Sequence, residues 1–158
     1  MSAPVTTASA GPREETHSLF AVRLGDDLLL LPVDEVLAVL PSEAPTPLPR
    51  VPPHVLGLVN HDHRALAVFD LAAFLERASA RAEAGARPRT VVVKAGSLTV
   101  GVPVTAALGV VSVRASEVKP VSGAFGPRVG GFLRGECETR HGVGGWLDVA
   151  ALLEAARV

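Results

Sequence analysis

Apolar and polar residues alternate from Leu19 to Arg23, break at Gly25-Asp26-Asp27, and give way to the solid apolar run Leu28–Leu31, a pattern that predicts a β-hairpin. Pro32 presets φ for a helical turn with Asp34 and Glu35 near its positive end, and a further strand resumes at Val36, Leu37, Val39 and Leu40. From Pro41 to Pro53 the prolines Pro41, Pro45, Pro47, Pro49 and Pro52 recur too densely for helix or central strand, so this stretch is an extended surface loop. Val55–Val59 and Arg64–Phe69 flank Asn60-His61-Asp62-His63 and read as a second hairpin. Asp70 is placed to cap a short helix whose apolar positions Leu71, Phe74, Leu75 and Ala78 fall at helical spacing. Arg77 to Pro88 loses that face to Ala, Arg and Glu and reads as a linker.

The plan then repeats as Thr90–Lys94, a turn at Ala95-Gly96-Ser97, Leu98–Val102, Pro103 and Leu108–Val113. Pro32-Val33 lies over Pro103-Val104, a step of 71 residues, and Phe69-Asp70-Leu71 lies over Leu147-Asp148-Val149, a step of 78. Near-equal steps at both ends argue for an internal duplication. Each copy holds about five short strands and one terminal helix, a size that closes into a small barrel. The predicted fold is therefore all-β with short helices: two five-stranded β-barrel subdomains, about 18–79 and 88–158, behind a mobile tail over 1–17.

Charge narrows the function. Fifteen Lys+Arg against sixteen Asp+Glu leave a net charge of −1, so no sequence-wide field draws in a polyphosphate or an anionic membrane. Aromatic residues are 4% of the chain and tyrosine is absent, which leaves little from which to build base-stacking platforms. Nucleic acid and direct membrane contact are therefore not expected. Cys137, the sole cysteine, cannot form an internal disulfide, and no charged start with an apolar h-region precedes the first strand, so the expected location is cytoplasmic.

His61-Asp62-His63 is the cluster with the most chemical potential, because residues i and i+2 on a strand point the same way and could offer two imidazoles to a metal. One alternative reading follows from it, a small metal-dependent enzyme. Only the scattered His54, His141, Cys137 and Glu136 remain to complete a ligand set, so the expectation is a polar hairpin turn with no metal and no cofactor. Cys137 sits between Glu136 and Glu138, whose charges raise a thiol pKa instead of activating it. Gly-x-Ser-x-Gly, Walker-type and His-Glu-x-x-His motifs do not occur, and no catalytic residue is expected. Val33, Val36 and Val39 recur at spacing three and read either as core or as the lining of a groove for another protein's helix. A stand-alone peptide-binding module is a second alternative.

Between about Ser18 and Ala156 the chain resembles the CheW-like chemotaxis coupling proteins. The likeness is carried by Leu31-Pro32-Val33-Asp34-Glu35-Val36, Thr46-Pro47-Leu48-Pro49, Gly57-Leu58-Val59-Asn60, Val68-Phe69-Asp70-Leu71, Val100-Gly101-Val102-Pro103-Val104, Gly130-Gly131-Phe132-Leu133 and Leu147-Asp148-Val149, in that order. The resemblance implies two SH3-like barrels and a scaffold without catalysis. Its implied partners are the cytoplasmic tip of a chemoreceptor and the regulatory domain of a chemotaxis histidine kinase. By position it places receptor-groove residues at Val33, Val36, Val39 and Ala107. The chain departs from the family where Asn-Leu-Arg-Gly becomes Asn60-His61-Asp62-His63, so a cation gives way to an anion, and where an expected acidic residue is Ala38. Kinase coupling is therefore expected to be weak or lost, with Ala38, His61, Asp62 and His63 as the atypical coupling-site positions.

Overall fold

The computed structural model describes residues 15–76 and 88–156. The expected tail over 1–17 and the linker Arg77–Pro88 fall almost wholly outside them, although the first strand, β1 (Thr16–Leu24), opens within the span given to the tail. β1 turns through Gly25, at φ 63°, into β2 (Asp27–Pro32). A single 3₁₀ turn, Val33–Glu35, leads to β3 (Val36–Pro41), β4 (Val55–His61), β5 (Arg64–Phe69) and α1 (Leu71–Phe74). The second copy runs β6 (Arg89–Ala95), β7 (Leu98–Val104), β8 (Ala106–Arg114), the short β9 (Val118–Lys119), α2 (Gly126–Gly130), β10 (Leu133–Thr139), β11 (Gly142–Leu147) and α3 (Val149–Ala156). Asp70 and Asp148 each cap the helix that follows, their carboxylates accepting from the amides of Ala73 and Ala151 at 3.1 Å.

Two sheets result, β3-β6-β7-β5-β4 and β8-β1-β2-β11-β10-β9, each curled into a small SH3-like barrel. Exchanging every strand for its repeat turns the first order into the second. Even the parallel contacts obey the duplication: Ala67 beside Val100 and Val68 beside Gly101 in one barrel become Gly145 beside Leu29 and Trp146 beside Leu30 in the other. Among the described residues the sixth strand, β9, pairs only with Glu136 and Cys137, and its counterpart in the smaller barrel is the isolated Thr46–Leu58 bridge. Two residues of extra pairing thus separate six strands from the expected five.

The sequence halves 18–79 and 88–158 do not coincide with these barrels. The hairpin β1–β2 belongs with β8–β11, and β6–β7 belongs with β3–β5. Pro32 closes β2, and Pro103 stands one residue before the end of β7, so both prolines mark where the chain leaves one sheet for the other.

This exchange explains the apolar run at Leu28–Leu31. Leu29 and Leu31 join Val100, Val102 and Val104 in the large core between the barrels, which Leu71, Leu75, Leu152 and Leu153 close from the helical side. Leu28 and Leu30 turn the other way, into a barrel interior with Leu19, Ala21, Val111, Val113 and Cys137. β2 is buried on both faces, and a strand so placed reads as continuous hydrophobicity. The interiors are matched but not identical. Leu30 fills the space over Gly144, where a Cβ would come within 2.9 Å of it, whereas in the other barrel the equivalent of Leu30 is Gly101 and the equivalent of Gly144 is Leu66. A large residue and a small one have traded places across the same strand pair.

Candidate docking surface

β3 and β8 occupy equivalent sheet edges, and among the described residues each pairs along its ladder with one neighbour only. Leu37, 55% exposed, and Val39, 39% exposed, stand on the β3 edge; Val110, the repeat of Val39, is 49% exposed on β8. Large apolar side chains on an open strand edge are uncommon in a soluble chain unless something covers them.

The four residues expected to line a receptor groove lie around these edges, and no cavity among the described residues is lined by all of them. Val33, half-buried, lines a cleft of about 610 Å³ with His17, Glu35, Arg134 and Trp146. Val36 pairs with Val93 and packs partly against the large core. Val39 is exposed, and Ala107, half-buried opposite Val22, is the repeat of Val36 on β8. The residues differ in burial: Val36 is half-buried beside the core, and Val39 is exposed. Ala38 pairs with Val92 just after a β-bulge.

In the Val33 cleft, burial pushes the Glu35 carboxyl above its ordinary pKa, with Asp34 and Asp148 adding to the rise and Arg134 opposing it. The His17 and Trp146 ring centroids lie 4.8 Å apart, and among the described residues the buried indole nitrogen of Trp146 has no hydrogen-bond partner. Composition and motif reading did not single out either ring.

His61, Asp62 and His63 do not share a strand face. His61 ends β4, while Asp62 and His63 form the two-residue turn, at φ 51° and 62°, and β5 begins at Arg64. The turn separates the imidazoles that a strand would have aligned; His61 instead approaches its neighbour, Nε2 to Asp62 Oδ2, at 3.7 Å. Among the described residues no group of three or more His, Cys, Asp or Glu is arranged to hold a metal ion. Cys137 is sealed in the barrel interior, and burial, then the Glu117 charge, raises its thiol pKa.

A residue missed by the sequence reading sits at the other hairpin tip. Arg140, between β10 and β11, donates from its guanidinium to the Val110 carbonyl at 3.2 Å, covering the edge of β8. Asp62 is its repeat at the step of 78, so the duplication contained the signal. Asp62 lies beside β3, lining one cleft with Leu37 and a second, of about 320 Å³, with Leu40, Pro41 and Glu43.

Comparison with known proteins places this geometry. Protein FrzA of Myxococcus xanthus is 36% identical over 113 residues, a stretch taking in 72% of this chain and 68% of that protein. The crystal structure of the scaffolding protein TtCheW from Thermoanaerobacter tengcongensis has the same fold, with a TM-score of 0.75 over 89% of this chain and 94% of that one at 18% identity. No helix among the described residues is long and apolar enough to cross a membrane. A family model of the CheW-like domain matches residues 18–157, nearly the whole chain, and the protein belongs to that family.

Proposed function

We propose that this protein is a non-catalytic, cytoplasmic adaptor of a chemosensory array that binds the cytoplasmic tip of a chemoreceptor through the β3 edge and couples only weakly to a histidine kinase. Family membership over residues 18–157 carries the adaptor reading, since CheW-like scaffolds are generally non-catalytic and work between receptors and kinase. The exposed Leu37 and Val39 supply an apolar contact on β3, which Val33 precedes and Val36 opens, and Ala107 holds the position of Val36 on β8. Weak coupling is supported by Ala38 and Asp62, where the expected acid and base are both gone, together with the flanking His61 and His63. The resemblance implies that this acid and base pair with each other, and losing both strands no charge, so the fold is kept while the surface changes.

The test is calorimetric titration of the purified protein with a chemoreceptor tip and, separately, with the regulatory domain of a chemotaxis histidine kinase from the same organism. Receptor binding is expected at micromolar affinity or tighter and should fall at least tenfold in Val39→Asp, an exposed site where the change leaves the fold intact by circular dichroism. Val36→Asp, which puts a charge against the core, should destabilise as well. Unchanged receptor affinity in folded Val39→Asp would overturn the surface assignment. Micromolar binding of the regulatory domain would overturn weak coupling.

A further inference from the structure

The two barrels share one plan and differ in how each treats its open edge. In the larger barrel the Val110 carbonyl receives the Arg140 guanidinium. In the smaller barrel the register repeats: Val39 stands opposite Val91 as Val110 stands opposite Phe20, one step of 71 apart, so the Val39 carbonyl also faces the free edge. The hairpin tip beside it carries Asp62, which is 87% exposed and has no donor for a carbonyl. A second sign change lies on the same edge. Glu43 stands at the repeat position of Arg114, and with Asp62 it lines the cleft formed by Leu40, Pro41, Val59 and Thr90. Among the described residues, no lysine or arginine lines that cleft, and Arg64 and Lys94 line instead the adjoining one that Asp62 shares with Leu37.

From these replacements we infer that the mouth of the smaller barrel is a docking site for an arginine of a partner protein, carried on an extended segment with apolar neighbours. The guanidinium would take in trans the place that Arg140 holds in cis, donating to the Val39 carbonyl and to the carboxylates of Asp62 and Glu43, while Leu37 and Val39 cover the flanking apolar residues. Arginine fits this site better than lysine because its planar fork serves a carbonyl and a carboxylate together. The inference deepens the adaptor reading and rests on it only for which partner supplies the arginine.

The probe is the peptide Ac-Val-Arg-Val-NH₂, followed by NMR shifts of the ¹⁵N-labelled full chain, beside the same peptide with citrulline for arginine. Saturable shifts at Val39, Glu43 and Asp62 are expected, with at least tenfold weaker binding of the citrulline peptide. Asp62→Asn should abolish the arginine preference, and asparagine tolerates the left-handed turn position, so the fold is retained. Asp62→Arg should close the edge from within and exclude the peptide. Equal binding of the two peptides, or an arginine preference that survives in Asp62→Asn, would overturn the inference. Neither result depends on whether the receptor tip binds, so the adaptor reading stands or falls separately.

Discussion

His63 holds a backbone conformation, φ 62°, that costs a residue with a Cβ about 1–2 kcal/mol and glycine almost nothing. His63→Gly should therefore raise stability by about 1 kcal/mol in urea denaturation, and a midpoint that does not rise would show the turn relaxed. Glu35 yields a pH dependence. Its folded pKa lies above the unfolded value, so the folded state holds the proton more tightly; stability on its account is greatest at low pH and declines as pH rises through the folded pKa. Glu35→Gln is accordingly expected to be more stable than the parent at pH 7, with the difference gone near pH 3, as read from denaturation midpoints. The buried Cys137 should ignore a thiol reagent in the native state and react fully once the chain is unfolded. At this scale the departure at Asp62 was legible through the family resemblance, and the step of 78 pointed from it to Arg140 without showing what that side chain does. Arg140 is 78 residues distant, and only the pairing of β8 with β1 shows what it covers.

Among the elements, β2 was read correctly as a strand, although its unbroken apolar run carries no information about which face meets which core. The exchange of hairpins settles that, because it lays one face of β2 against β7 and the helices and the other inside a barrel. The helices α1 and α3 were legible through their Asp caps, whereas α2, which follows Phe125 with no side-chain cap, and β9, whose two residues have no period, were not. The traded packing between the barrels gives a sharp test. Leu30→Gly should cost about 4 kcal/mol through the cavity it leaves, and Gly144→Leu should also destabilise by crowding Leu30. Combined, they recreate the arrangement of Gly101 and Leu66, so the double variant should recover at least about 2 kcal/mol relative to the sum of the singles. Strict additivity in chemical denaturation would mean the two interiors are not interchangeable.

For the whole molecule, the duplication and the barrel count followed from two steps in the sequence, while the crossing of the halves did not. Equal repeats are compatible with separate barrels or exchanged ones, and the parallel contacts of β5 with β7 and of β11 with β2 distinguish them. Since every barrel borrows a hairpin from the opposite half, a chain severed between Glu76 and Pro88 should give two fragments that lack fixed tertiary structure when alone and form a folded one-to-one complex when mixed. Near-ultraviolet circular dichroism and size-exclusion chromatography would read this, and a half that folds alone would contradict it. The exchanged hairpin also changes what kind of object this chain is. It is in effect a domain-swapped dimer whose two subunits have been joined end to end. Its partners are covalently guaranteed, so each copy could lose the self-complementarity that a dimer of identical subunits must keep, and Asp62 could come to stand where its twin is Arg140.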